Sequence, residues 1–133
     1  MAKQLLLGNE AIAWGAIAAG VKVATAYPGT PSTEIFSTLA AQAKRYGFHA
    51  EWCVNEKVAL EVAYGSAISG ARTLVTMKQV GLNVAADPLL SGTYLGVKGG
   101  LVLVVADDPG PHSSQTEQDT RQFASFAKVP VLD

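Results

Sequence analysis

The sequence predicts an α/β domain in three layers, with a mainly parallel sheet between helices on both faces. Three observations carry this reading. β-rich runs alternate with Ala- and Gly-rich helical stretches along the chain, the rhythm of a sheet built from strand–helix–strand units. One run, Leu101-Val102-Leu103-Val104-Val105, is continuously aliphatic, as expected of a strand buried on both faces. Hydrophobic residues make up 49% of the 133 positions and charged residues 16%, an apolar balance that suits a doubly covered sheet or surfaces meant for other domains.

Each element has a local reason. Asn9 to Ala19 is an Ala-rich helix with Asn9 as N-cap and Gly20 as stop. Val21 to Tyr27 is the first strand, bounded by Gly20 and Pro28-Gly29. The next helix runs to Tyr46, with Thr30 as N-cap, Pro31 at the first helical position, Glu34 in the first turn and Gly47 as terminator. A second strand runs from about Phe48 to Val54. Glu56 to Ser69 is helical, with apolar Val58, Val62 and Ala63, and ends at Gly70. Thr73 to Met77 is the third strand. Asn83 to Leu95 contains Pro88, so a short or kinked helix is expected. Leu101 to Val105 is the fourth strand, Thr116 to Ala127 the last helix, and Val129 to Leu132 a fifth strand just entering. Residues 1–133 are read as one domain, a piece of a longer polypeptide.

Composition excludes several classes. A net charge of −1 gives no electrostatic case for nucleic acid or an anionic membrane. One cysteine, Cys53, forms no internal disulfide and no metal cluster, and His49 and His112 are far apart in sequence. The apolar run within Met1 to Leu7 is too short for a leader or a spanning helix, and no later stretch reaches the roughly 20 residues a span needs. A cytoplasmic domain is expected. Cys53, beside Trp52, reads as a buried inert thiol, and Trp14 as core or interface. Gly96-Val97-Lys98-Gly99-Gly100 precedes a strand, which makes it a turn and not a phosphate loop.

In open α/β sheets ligands bind beyond the carboxyl ends of the strands. Two consecutive strand-to-helix junctions there carry chemistry. In Tyr27-Pro28-Gly29-Thr30-Pro31-Ser32 the prolines stiffen the loop and Gly29 admits a close approach to its backbone. Thr30 and Ser32 offer hydroxyls where free N–H groups favour an anion such as a carboxylate; a plain capping loop is the alternative. In Asn55-Glu56-Lys57 the lone acid either complements a helix dipole, worth about 0.3–1 kcal/mol, or serves a site.

Five segments taken in order resemble one family: Leu7 to Ala13, Ala26 to Ser32, Asn55 to Ala59, Thr76 to Asn83, and Asp107 to Asp119. They are similar to the pyrimidine-binding domain of thiamine-diphosphate-dependent 2-oxoacid:ferredoxin oxidoreductases, most of all to the N-terminus of the indolepyruvate ferredoxin oxidoreductase alpha subunit. The likeness covers essentially the whole chain. It implies the three-layer fold of that domain and, for the complete enzyme, oxidative decarboxylation of an aryl pyruvate to an acyl-coenzyme A with electrons passing to ferredoxin.

By this resemblance Glu56 matches the glutamate that hydrogen-bonds the aminopyrimidine ring. A carboxylate sharing a proton with that ring promotes loss of the proton from the thiazolium carbon. Tyr27, Pro28, Gly29, Gln79, Gly81 and Asn83 fall with Glu56 at cofactor-binding positions, and Gly29, Thr30, Lys78 and His112 at substrate-binding positions. Lys78 either pairs with the substrate carboxylate or is solvated. His112 either helps hold that carboxylate or is an exposed loop residue without a role. Related pyruvate and 2-oxoglutarate enzymes carry a substrate-binding arginine near the start of the fourth junction, where this chain reads Asp107-Asp108-Pro109; the departure fits a bulkier aryl substrate. Arg121, further along, faces solvent or a partner subunit.

The chain has no acidic Gly-Asp-Gly-type loop and no cysteine set for a cluster. The resemblance therefore assigns Mg2+, the diphosphate and the 4Fe-4S clusters to other domains. The implied partners are those domains of the alpha subunit, a beta subunit, ferredoxin and coenzyme A, in a homo- or hetero-oligomeric assembly outside which this domain does not turn over. Two other readings compete. One is a non-catalytic α/β module of the same ancestry that binds a partner or small acid. The other, a flavodoxin-like or Rossmann nucleotide binder, lacks its Gly-x-Gly-x-x-Gly after the first strand.

Overall fold

Four parallel strands organise the chain: Val23–Ala26 (β1), His49–Trp52 (β2), Thr73–Lys78 (β3) and Leu101–Ala106 (β4), in the order β2-β1-β3-β4. The computed structural model describes residues 4–133; residues 1–3, part of the short N-terminal apolar run, lie outside the described residues. The helices are Gly8–Ala18 (α1), Thr33–Tyr46 (α2), Glu56–Ile68 (α3), Gln79–Val84 (α4), Ala86–Leu95 (α5) and Arg121–Ala127 (α6).

The expected three layers are present, with a sheet that is parallel throughout. The chain steps from β1 to β2 in one direction and from β2 to β3 in the other. Right-handed crossovers then put α2 and α3 on opposite faces. Side-chain alternation agrees. Ala24, Ala26 and Leu74 pack with Ala13 of α1 and Ile35, Phe36 and Leu39 of α2. Val75 and Met77 face the other way, onto Ala59, Leu60 and Ala63 of α3, Leu82 of α4 and Leu89 of α5. Ala59, Ala63 and Ala67 recur every four residues and are fully buried, which brings α3 close to the sheet. Thr25, buried between them, donates its hydroxyl hydrogen to the Ala59 carbonyl at 2.8 Å. Tyr64 of α3 lies against Gly92 of α5, where any Cβ would collide with its ring.

Several boundaries differ from the sequence reading, each for a physical reason. The first helix starts at Gly8, after Leu7, whose N–H is taken by the Glu10 carboxylate at 2.9 Å. Asn9 does not cap; its amide donates to the Pro31 carbonyl at 2.8 Å and to Glu34 at 3.3 Å. The second helix opens at Thr33 and not at Pro31, because Pro31 and Ser32 form a turn ahead of the helix. The stretch around Pro88 forms two helices that meet at Ala85. Pro88 lies in the first turn of α5, where its missing N–H has no intrahelical partner to lose. The last helix is shorter than expected, because Asp107 accepts from the Thr120 N–H at 3.0 Å and its hydroxyl at 2.8 Å and so fixes its start.

Two strand expectations also need correction. β4 is not buried on both faces: it is the sheet edge, and Val102 is 55% exposed. The fifth strand expected at residues 129–132 does not form among the described residues, although Val129 packs against the α3-side core. The turn expected at residues 96–100 is present, as is the buried Cys53. Trp14 is half-buried, edge-on to Tyr46. No helix among the described residues is long and apolar enough to cross a membrane, and no cluster of metal-ligating side chains is found among them.

Leu60 is wholly buried at the α3–sheet contact, so Leu60→Ala should lower unfolding free energy by about 2–5 kcal/mol. Urea denaturation followed by circular dichroism reads this as a lower midpoint at unchanged slope.

Candidate functional site

The order β2-β1-β3-β4 puts a topological switch point between β1 and β3, since the chain leaves β1 on one side and returns to pair with it on the other. The segments that follow these two strands leave for opposite faces there, and such crevices bind ligands in open α/β sheets. The first loop is Tyr27 to Ser32. After β3 there is no loop: Lys78 ends the strand and Gln79 begins α4. The helical start of this segment was missed in the sequence, where Gly81 and Asn83 masked six residues of helix.

Glu56 enters the crevice from α3. Asn55 has extended backbone and its side chain accepts from the Val58 N–H at 2.9 Å, which caps the helix. Glu56 is therefore the first helical residue, only 8% exposed. Its carboxylate lies on Gly81 of α4: a Cβ at residue 81 would come 2.5 Å from Glu56 Oε1 and 2.7 Å from its Cγ. No protein group among the described residues hydrogen-bonds the carboxylate. A nearly buried acid without a protein partner is poised to take one from a ligand. Neighbouring Lys57 turns away, paired to Asp87 at 2.8 Å.

The first loop is built differently from its sequence reading. Ser32, buried, donates its hydroxyl to the Gly29 carbonyl at 2.8 Å, and the Thr33 hydroxyl accepts from the Gly29 N–H at 2.8 Å. These bonds fix the backbone of Gly29, and a Cβ there would lie 2.7 Å from Lys78 Cδ. Thr30 is exposed and caps nothing; its carbonyl accepts from the Ser113 hydroxyl at 3.4 Å. Tyr27 and Pro28 are exposed at the rim. Glu56 is thus brought onto Gly81 and Lys78 onto Gly29, both at the carboxyl ends of the strands, with Tyr27, Pro28 and Thr30 exposed beside them.

Gln79 and Asn83 hold the fourth junction against α4. Gln79 is fully buried and donates its amide to the Thr116 carbonyl at 3.0 Å, while its Oε1 has no partner. Asn83 and Gln118 exchange two amide hydrogen bonds of 2.9 Å each. His112 is exposed, and among the described residues only its backbone N–H is engaged, by Asp108. The two aspartates organise this loop. Asp107 caps α6, and Asp108 Oδ2 accepts from the N–H groups of His112, Ser113 and Ser114 at 2.9–3.1 Å. These donors, Ser113 foremost, hold the Asp108 carboxyl down at about 2. The signal for this was Asp followed by Pro-Gly, a pattern in which the aspartate turns onto its own backbone. Burial, aided by Glu51, pushes the Cys53 thiol up, in keeping with an inert role. Arg121 binds Asp119 and Asp133.

Residues 14–118 match the family described as pyruvate flavodoxin/ferredoxin oxidoreductase, thiamine diphosphate-binding. The chain belongs to this family. It is 56% identical to the indolepyruvate oxidoreductase subunit IorA of Archaeoglobus fulgidus, over 98% of this chain and 22% of that protein. It is 58% identical to the same subunit of Thermococcus kodakarensis, over 97% of this chain and 20% of that protein. The chain thus spans about a fifth of the length of these curated relatives. A 2-oxoglutarate:ferredoxin oxidoreductase from Magnetococcus marinus shares the fold, with a TM-score of 0.70 at 23% identity over 78% of this chain and 18% of that one.

The depressed Asp108 carboxyl has a defined consequence. Its contribution to loop order should be complete above the unfolded value of about 4 and fade as pH falls through about 2. Amide resonances of Ser113 and Ser114 followed by NMR should hold position down to about pH 3 and shift only below it. Movement centred near pH 4 would contradict the bonding described.

Proposed function

We propose that this chain supplies the pyrimidine-binding half of a thiamine diphosphate site in an oxidoreductase acting on indolepyruvate or a related aryl pyruvate. The single observation that carries the reading is the Glu56 carboxylate, nearly buried, seated on Gly81 at the β1/β3 switch point and free of a protein hydrogen-bond partner among the described residues. These residues fit the group. Gly81 leaves room for the Glu56 carboxylate, Glu56 is the acid for a ring nitrogen, and Gln79, two residues before Gly81 at the start of α4, carries an orphaned buried acceptor.

Thiamine diphosphate, when bound, supplies a nucleophilic carbon and an electron sink for decarboxylating a 2-oxo acid. The chain's residues orient it and manage one proton. Glu56 holds a proton at the ring nitrogen, a task a carboxylate performs and an amide does not. Gly81, Gly29, Tyr27 and Pro28 shape the wall beside it, with Gln79 and Asn83 fixing the fourth junction against α4. Gly29, Thr30, Lys78 and His112 form the substrate side. The identities of 56% and 58% to indolepyruvate oxidoreductase subunits support the aryl substrate. Oxidation to an acyl-coenzyme A, with electrons passed through 4Fe-4S clusters to ferredoxin, would be completed by other domains and a beta subunit that also carry Mg2+ and the diphosphate. A cytoplasmic location belongs to the same proposal.

Glu56→Gln in the assembled oxidoreductase should reduce indolepyruvate-dependent viologen reduction by about 10²–10⁴-fold, with the protein still folded by circular dichroism. Equal activity in both would remove Glu56 from the chemistry. Gly81→Ala forces the Glu56 carboxylate out of its seat and should raise the Kd for thiamine diphosphate roughly tenfold or more, read by calorimetry.

A further inference from the structure

We propose that Lys78 is the cation that holds the carboxylate of the 2-oxo acid, and that Gly29 sets its position. The inference rests on the reading of the Glu56 crevice given above and names the charge that recognises its substrate.

Lys78 is the last residue of β3, in register with Ala106 of β4. It therefore projects at the carboxyl end of the sheet, and strand alternation turns it to the face opposite Met77, toward the Tyr27 to Ser32 loop that borders the β1/β3 crevice. Its aliphatic stem lies across Gly29: a Cβ at residue 29 would come 2.7 Å from its Cδ and 3.0 Å from its Cγ. The Gly29 backbone is itself pinned from both sides by Ser32 and Thr33. A long flexible chain is thereby laid along a fixed track, which removes much of the rotamer freedom it would otherwise lose on binding.

The ammonium at the end of that track has no counterion among the described residues. Among the described residues no carboxylate lies within 4.0 Å of it, whereas the neighbouring charges are taken. Lys57 is bound to Asp87, and Arg121 to Asp119 and Asp133. The acids of the adjoining junction are equally committed. Asp107 is held by Thr120, Asp108 by three loop N–H groups, and Glu117 by the Gly110 N–H at 3.0 Å. A lysine whose stem is half-buried and whose ammonium has no ion-pair partner among the described residues can take an incoming anion. A single ammonium matches the single charge of a carboxylate, and Lys78 and Gly29 leave β3 and β1 on the two sides of the switch-point crevice that Glu56 and Gly81 also border.

The phosphates of coenzyme A offer a second anion, so the two are separated in the test. In the assembled oxidoreductase, steady-state kinetics are measured with indolepyruvate and coenzyme A varied in turn. Lys78→Met should raise the KM for indolepyruvate roughly ten- to hundredfold, with kcat, the KM for coenzyme A and the Kd for thiamine diphosphate each within about twofold. Lys78→Arg should restore most of the loss. Gly29→Ala should raise the same KM by displacing the stem, and the Gly29→Ala/Lys78→Met pair should be no worse than Lys78→Met alone, as for two residues acting through one contact. Calorimetric binding of indolepyruvate in a Glu56→Gln background reports the same loss without turnover. An unchanged KM for indolepyruvate in Lys78→Met, or a rise confined to coenzyme A, overturns the proposal. If the Lys78 results hold while Glu56→Gln stays fully active, the carboxylate site stands and the cofactor reading falls.

Discussion

The approach of α4 to the start of α3 is the constraint on which the rest of the site depends. It is possible only because residue 81 has no side chain. With a Cβ there, the Glu56 carboxylate would be met at 2.5 Å and would have to leave the crevice. The contact keeps an acid mostly out of water at the mouth of the sheet, in a place where no described residue gives its carboxylate a hydrogen bond. Such a group is unfavourable in isolation and becomes favourable when a ligand supplies the missing partner. Natural folds keep unsatisfied polarity at functional positions, and here the orphaned Gln79 Oε1 belongs to the first residue of α4 and the nearly buried Glu56 to the first residue of α3.

Around that contact the fourth junction behaves as a structural clamp. Asp107 fixes the start of α6, Asp108 closes the loop on itself, and Gln79 and Asn83 bind the loop to α4. A segment without regular secondary structure is thereby given a single course past the crevice. Its two aspartates stand where the resemblance to pyruvate enzymes led one to look for a substrate-binding arginine. Their carboxylates are occupied by donors of the loop and of Thr120, so their role is to hold the segment in place.

Much of this was legible in the sequence. The strand–helix alternation, the two chemically loaded junctions and the acid at residue 56 all follow from residue type and spacing, and the five segments carried the family. What escaped was set by tertiary contacts. The aliphatic run of β4 reads as doubly buried, but nothing in its composition says that it is the outermost strand. Asn9 and Thr30 have the chemistry of caps, yet Asn9 is drawn across to Pro31, and the Pro31–Ser32 turn delays α2 to Thr33. Gly81 reads as a loop residue until α4 is seen to need it inside a helix. The stem of Lys78 and the backbone of Gly29 are distant in sequence, so their contact is visible only once β1 and β3 are neighbours.

A cryo-EM structure of the intact oxidoreductase with thiamine diphosphate bound tests the central claim most directly. The expected density has the pyrimidine ring between Glu56 and Gly81 at the β1/β3 switch point, with a ring nitrogen within hydrogen-bond distance of the carboxylate. A cofactor bound elsewhere, with Glu56 still seated on Gly81 and no ring beside it, would contradict the assignment of this crevice.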